Sequence, residues 1–320
     1  MTTKIIGTGS YLPKAVVTND DLAKIMDTSD EWIRTRTGIC ERHLATDETT
    51  TSMCVEAAKR AIENAKISAE EIDLIIVGTV SGDNITPSTA CEVQAAIGAG
   101  NAVAFDMNAA CAGFIFALNT ANAYFQAGIY KTALIIGAET LSKIMDWNDR
   151  STCVLFGDGA GAAIVRAEES GLYAFEQGCD GSKAHVLAGK NRPNNNPLVS
   201  NDTSLDYVHM DGQEVYKFAV STVPASIQRV LDKAAVSTEE ITYFALHQAN
   251  IRILQSVAKR LKVAEDKFPI SLDHCGNISA ASVPILLDEM NQKGMLKAGD
   301  KVIMSGFGAG LTWGTVLIEW

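Results

Sequence analysis

The sequence predicts an α/β protein built from two related halves, roughly residues 1–170 and 171–320, arranged in layers of helix and sheet. Three observations carry that expectation. Stretches with helical spacing precede short runs rich in Ile, Val and Leu. Those runs are apolar on both faces, as strands buried between helix layers are. The chain also repeats itself: Ser68-Ala69-Glu70-Glu71-Ile72 is echoed by Ser237-Thr238-Glu239-Glu240-Ile241, a shift of 169 positions. The same shift carries Ile136-Gly137 onto Ser305-Gly306, and Ala61–Ala65 onto Val230–Ala234. Agreement at one offset marks a duplicated fold. Two copies do not make a solenoid, so each half completes the other's core.

In chain order, Val55–Ala65 has helical spacing and Leu74-Ile75-Ile76-Val77 follows as a buried strand. The apolar segment ending at Met107 gives way to small residues and then a helix. Ala133-Leu134-Ile135-Ile136 is a second buried strand, stopped by Gly137. The glycines of Phe156-Gly157-Asp158-Gly159-Ala160-Gly161 read as tight turns and close backbone packing. Ala188 to Thr203, with Asn194-Asn195-Asn196-Pro197, reads as a long polar loop of the kind that runs over a surface or covers a site. The second half continues with a helix over Val223–Ala235, a strand at Tyr243–Leu246 and a small-residue loop, Gly276–Ser282, that enters a helix. A strand at Lys301–Met304, a glycine cluster at Gly306–Gly310 and a final strand at Thr312–Ile318 complete it.

A chain of 320 residues, 47% of them hydrophobic, can bury a sizeable core. Its seven cysteines form no Cys-x-x-Cys pair, and their odd number leaves no complete disulfide framework, which points to a reducing, cytoplasmic setting. Met1–Pro13 lacks the basic and apolar regions of a secretory signal, and no run approaches the ~20 apolar residues of a membrane span. A formal charge of −11 opposes general affinity for nucleic acid, so an acidic partner needs a local basic patch. No metal is expected: His274 and Cys275 are adjacent, but no second pair at ligand spacing accompanies them. Neither glycine cluster has the full Gly-x-Gly-x-x-Gly dinucleotide pattern.

Chemistry concentrates at Cys111, within Asp106-Met107-Asn108-Ala109-Ala110-Cys111-Ala112-Gly113-Phe114. A thiol at a helix start meets partial positive charge, which favours the thiolate. Small neighbours admit a substrate and leave backbone N–H groups free for an oxyanion. Packing as a small hydrophobe is the alternative that this segment alone leaves open. The shift of 169 carries Cys111 onto Ala280, so halves packed about a pseudo-twofold axis would bring Asn277 towards the sulfur. Of five histidines, His247 ends the strand Tyr243–Leu246, where catalytic groups collect in such sheets. A structural role is its alternative. His43, His185 and His209 lie in polar surroundings and read as surface residues.

Taken together, the Cys111 segment, His247-Gln248-Ala249-Asn250, Gly276-Asn277-Ile278-Ser279-Ala280-Ala281-Ser282 and Gly308-Ala309-Gly310-Leu311-Thr312-Trp313-Gly314 resemble β-ketoacyl-acyl carrier protein synthase III of the thiolase superfamily. Ser29–Ile39 and Phe156–Gly161 support the resemblance, which spans nearly the whole chain. It implies the five-layered α-β-α-β-α thiolase fold and a homodimer. It also implies decarboxylative Claisen condensation of an acyl-coenzyme A primer with malonyl-acyl carrier protein, with coenzyme A thioester as substrate and no cofactor. Cys111 becomes the acyl-accepting nucleophile, and His247 and Asn277 complete the triad. By the same resemblance Cys111 and Ala309 supply oxyanion N–H groups, and Phe307 is an apolar wall that disfavours the malonyl carboxylate.

The resemblance also assigns binding roles. Trp32 and Arg150 sandwich the coenzyme A adenine, Arg36 and Thr37 sit near its phosphate-bearing end, and Asn250 meets the pantetheine arm. Arg252, Lys259 and Arg260, with Lys217, form the basic face for acidic carrier protein. Thr86, before Pro87, departs from the phenylalanine often found in acetyl-preferring members, where that ring reaches across the dimer to close the acyl pocket. Primers longer than acetyl are therefore expected to be tolerated. A polyketide- or quinolone-type synthase would use the same triad. A cysteine hydrolase shares the order Cys, His, Asn, but the papain-like Cys-Gly-Ser-Cys-Trp context is absent. A non-catalytic carrier-protein binder would have no need of the retained triad.

Overall fold

The computed structural model describes residues 1–202, 204 and 206–320. Among them, two larger sheets dominate. The first has the order β1 (Thr2–Tyr11), β7 (Asp158–Glu168), β6 (Thr132–Thr140), β4 (Leu74–Gly78), β5 (Val103–Met107). Strand β4 runs parallel to β5 and β6, whereas β7 is antiparallel to β6 and β1. The second sheet has the order β11 (Tyr243–Leu246), β12 (Lys301–Gly308), β13 (Thr312–Glu319), β8 (Tyr173–Cys179). Its β11–β12 pair is parallel and the other two pairs are antiparallel. Short ribbons β2–β3 (Ala15–Thr18 with Glu41–Leu44) and β9–β10 (Leu187–Ala188 with His209–Met210) lie outside both.

Alternation along the strands sets the layers. On β4, Leu74 and Ile76 pack with α5 (Gly113–Gln126) and α9 (Ser282–Gln292), in one core with Val302 and Met304 of β12. Ile75 and Val77 face the other way, onto α3 (Thr50–Ala65) and α4 (Thr89–Ile97). Ile303 and Leu317 of the second sheet pack under α6 (Gly212–Ala234) and α7 (Ile251–Leu261). The result is α-β-α-β-α, with α5 and α9 buried between the sheets. Both faces of each sheet are covered, which explains the doubly apolar strands.

The duplication is visible in the backbone. At the shift of 169, the turn Ala69–Glu71 falls on Thr238–Glu240, Ala110–Ala112 falls on Ser279–Ala281, and the first residues of α5 and α9 coincide. Ala110 and Ser279 even share a left-handed φ, 46° and 45°. Helices α3 and α6 begin well before the apolar spacing predicts. Their starts are set by caps: Thr49 and Ser52 form a capping box, and the Asp211 carboxylate accepts from the N–H groups of Gln213 and Glu214.

Two local expectations are corrected. The glycines of Phe156–Gly161 are not turns, because Asp158 already opens β7. Close packing does hold there, since a Cβ on Gly161 would sit 2.5 Å from the backbone nitrogen of Ile285. His43 is half-buried rather than superficial, with Nδ1 2.6 Å from the Pro13 carbonyl. In the polar segment Ala188 to Thr203, Asn196 and Val199 form an isolated bridge, and Thr203 lies outside the described residues. Among the described residues no helix is long and apolar enough to cross a membrane.

Candidate active site

Cys111 occupies the single 3₁₀ turn Ala110–Ala112 that leads into α5, and only 8% of it is exposed. Burial pushes its thiol up to about 12. The expectation of a resting thiolate is thus reversed. A helix start favours negative charge, but removal from water costs more.

Glycines on β12 exist because Cys111 lies against them. A Cβ on Gly308 would stand 2.8 Å from Cys111 Cβ and 3.0 Å from its Sγ and backbone N. One on Gly306 would stand 2.9 Å from the Cys111 carbonyl oxygen. The end of β12 and the following Ala309 therefore run directly beside the nucleophile. The Thr312 hydroxyl ties the two turns together, 3.1 Å from the Ala109 carbonyl and 2.9 Å from that of Ala309.

His247 follows β11, and its N–H donates to the Ser305 carbonyl at 2.8 Å, extending the β11–β12 ladder by one residue. Its ring meets Phe307 edge-on with centroids 5.1 Å apart. Burial lowers its pKa to about 3, so the imidazole is neutral near pH 7. Among the described residues its Nδ1 has no partner.

Asn277 lies between the short helix α8 (Leu272–Cys275) and α9. Its N–H donates to Leu155, and its carbonyl accepts from Gly157. The side-chain Oδ1 accepts from the Ser279 N–H at 2.9 Å, which fixes the amide and leaves Nδ2 for a ligand. Gly137 on β6 has no side chain because the Ala280 carbonyl packs onto it. The loops of the two halves thus meet, a Cβ on Gly113 at the start of α5 standing 3.3 Å from the Ala280 Cβ. Cys111 touches Gly308, the strand neighbour of Phe307, whose ring meets that of His247.

Sequence reasoning missed Glu139, an acid at the end of the otherwise apolar strand β6, and that contrast was its signal. It is fully buried, and its Oε2 accepts from the Ser81 hydroxyl and the Val80 N–H. Burial raises its pKa to about 7, while hydrogen bonds from Ser81, Val80 and Thr79 oppose the rise.

The other predicted residues gather on neighbouring elements. Trp32 sits on α2 (Asp30–Thr37), capped by Ser29. The guanidinium groups of Arg36 and Arg150 lie 4.7 and 5.4 Å from its ring centre, and Arg150 also pairs with Asp27. Thr37 is buried, and its hydroxyl donates to Ile33 and accepts from Ile39, so it is spent on closing α2. Asn250 caps α7 through Oδ1 and donates from Nδ2 to the Arg36 carbonyl at 3.0 Å, while Arg252 donates to the Thr35 carbonyl at 2.8 Å. These bonds moor α7 to α2. Lys259 and Arg260 are exposed in the last turn of α7, and Lys217 on α6 is paired with Glu214. Thr86 is exposed in the loop before α4.

A five-layer duplicated fold, with a buried cysteine at the central helix start and His and Asn from the second half beside it, defines a thiolase-like condensing enzyme. The chain matches the families described as 3-oxoacyl-[acyl-carrier-protein] synthase III, over residues 105–181, and 3-oxoacyl-[acyl-carrier-protein] synthase III C terminal, over residues 231–320. It is 52% identical to the β-ketoacyl-[acyl-carrier-protein] synthase III of Clostridium acetobutylicum, covering 99% of this chain and 98% of that one. The solved 3-oxoacyl-[acyl-carrier-protein] synthase III of Aquifex aeolicus superposes with a TM-score of 0.92 at 46% identity, covering 99% of this chain and 100% of the other. That of Pseudomonas aeruginosa gives 0.92 at 38% identity, covering 100% and 98%. The chain belongs to the β-ketoacyl-[acyl-carrier-protein] synthase III family, acyltransferases of fatty acid biosynthesis.

Proposed function

We propose that this enzyme starts type II fatty acid synthesis by joining an acyl-coenzyme A primer to malonyl-acyl carrier protein through an acyl-Cys111 intermediate. The observation that supports the reading is the packing of Cys111 against Gly308, the strand neighbour of Phe307, whose ring meets neutral His247, with the Asn277 amide fixed on the loop that enters α9. Cys111 sulfur attacks the thioester carbonyl, and the N–H groups of Cys111 and Ala309 receive the oxyanion. The thiol proton leaves with the coenzyme A sulfur. Malonyl-acyl carrier protein then loses carbon dioxide, and the bonding electrons become an enolate. Neutral His247 and the Asn277 amide donate hydrogen bonds to the enolate oxygen, and Phe307 gives the departing carboxylate no polar partner. The enolate carbon attacks the acyl group, and the released Cys111 thiolate takes up a proton, yielding β-ketoacyl-acyl carrier protein.

Trp32 with Arg150 and Arg36 offers a cationic aromatic platform for adenine and phosphate, beside Asn250. Lys259, Arg260 and Arg252 offer positive charge to an acidic carrier protein. Strand β5 ends the first sheet with an unpaired edge, and Ile85 in the nearby loop is 86% exposed. Pairing with a second copy along this edge would cover both and carry Thr86 towards the partner's acyl pocket. Seven free cysteines, the nucleophile among them, suit a reducing cytoplasm.

The test incubates the protein with a panel of acyl-coenzyme A thioesters, locates the adduct by mass spectrometry and then adds malonyl-acyl carrier protein. Cys111→Ala is expected to lose both adduct and product. Condensation by Cys111→Ala at an unchanged rate would end the proposal.

A further inference from the structure

Where the two helices flanking the Asn277 loop meet, the fold brings Glu289 to the adjacent pair His274 and Cys275. His274 and Cys275 lie on α8 and Glu289 on α9, with their ligand atoms all within 4.8 Å of one another. His274 Nε2 is 2.8 Å from Glu289 Oε1, and Cys275 Sγ is 3.9 Å from the same oxygen. The other ring nitrogen, Nδ1, is 2.9 Å from Asp273 Oδ1. A carboxylate behind the outer nitrogen is the arrangement that orients a metal-bound histidine and raises its basicity. Lys293 holds Glu289 Oε2 at 2.9 Å, so Oε1 alone faces the cluster. Cys275 is buried, whereas the His274 and Glu289 side chains are 35% and 18% exposed. An ion can therefore enter from solvent and keep a water.

We propose that His274 Nε2, Cys275 Sγ and Glu289 Oε1 form a binding site for a borderline-soft divalent cation, with Zn²⁺ the best match and water as fourth ligand. A mixed sulfur, nitrogen and oxygen set does not suit Mg²⁺ or Ca²⁺, which take oxygen ligands. Around a tetrahedral zinc the nitrogen–oxygen separation is about 3.3 Å and the sulfur–oxygen separation about 3.5 Å. From the present 2.8 and 3.9 Å, these two separations change by about half an ångström, and the nitrogen–sulfur separation, now within 4.8 Å, closes to about 3.5 Å by side-chain rotation. Binding releases the proton shared by His274 and Glu289 and the proton of the Cys275 thiol. The ion would join the two helices that bracket Gly276–Ala281, the loop carrying Asn277 and Ser279.

The test uses full-length protein carrying Cys111→Ala, which removes the thiol beside His247, and titrates it with Co²⁺ followed by Zn²⁺. A thiolate-to-cobalt charge-transfer band at one ion per chain, bleached by Zn²⁺, is expected. Zn²⁺ should also raise the thermal unfolding midpoint. Adding Cys275→Ser should abolish the band. Asp273→Asn, at an exposed residue whose carboxylate pairs with His274, should weaken Co²⁺ binding about tenfold. Absence of the band, its persistence with Cys275→Ser, unaltered affinity with Asp273→Asn, or an unfolding midpoint indifferent to Zn²⁺ would each overturn the site.

Discussion

Gly308→Ala tests the placement of the nucleophile with a single methyl group. The new Cβ would lie 2.8 Å from Cys111 Cβ and 3.0 Å from both its Sγ and its backbone N. Non-bonded carbons settle about 3.5–4.0 Å apart, so relief requires a displacement of about 0.7–1.2 Å. Two of the three opposing atoms, Cβ and N, are fixed to the backbone, so no change of rotamer absorbs the clash. Either the Cys111 turn or the end of β12 must move, and with it the spacing between the Cys111 and Ala309 N–H groups. A misplacement of about 1 Å costs about 100-fold in rate, equivalent to about 2.7 kcal/mol of barrier. Overpacking costs about 1–3 kcal/mol of stability, which a fold of ordinary stability, about 5–15 kcal/mol, survives. The assay is single-turnover acylation by acyl-coenzyme A, followed by intact mass. Gly100→Ala is the control, because a Cβ there meets nothing within 4 Å. Acylation should slow about 100-fold in Gly308→Ala and be unaltered in the control. A rate for Gly308→Ala within about threefold of the wild type would refute the placement.

Glu139→Gln tests the buried acid through stability. With its pKa raised from 4.5 to about 7, Glu139 keeps its proton in the folded protein while the unfolded chain releases it, so its contribution falls as pH rises across that window. A shift of that size is worth about 3 kcal/mol, and the glutamine variant should lack this slope in urea unfolding from pH 4.5 to 7.5; superimposable wild-type and variant profiles would contradict it. Thr86→Phe should confine the enzyme to acetyl primers, lowering turnover of longer acyl-coenzyme A thioesters about tenfold in competition assays. An unaltered primer profile would reject the role of Thr86.

Strand and helix types, the repeat at 169 residues and the chemical candidates were legible because they depend on local period and residue type. Leu74–Val77 and Ala133–Ile136 are apolar on both faces whatever covers them, and the motifs around Cys111, His247 and Asn277 are contiguous. Helix starts were less legible, since apolar spacing begins downstream of the caps at Thr49 and Asp211. The glycines of Phe156–Gly161 read as turns in the sequence, because only the close approach of Cys275 to Gly157, of Tyr11 and Leu12 to Gly159 and of α9 to Gly161 shows why those positions lack side chains.

By itself the sequence determined which segments are helix or strand, that the chain is duplicated and which side chains have chemistry to offer. Only the tertiary structure decided the protonation of Cys111, because the cost of leaving water is set by β12 and the Asn277 loop closing over it. It also decided that Ser81 and Val80 hold the buried Glu139, and that Glu289 reaches His274 and Cys275. Desolvation and close approach depend on segments far apart in the chain, and no local pattern records them.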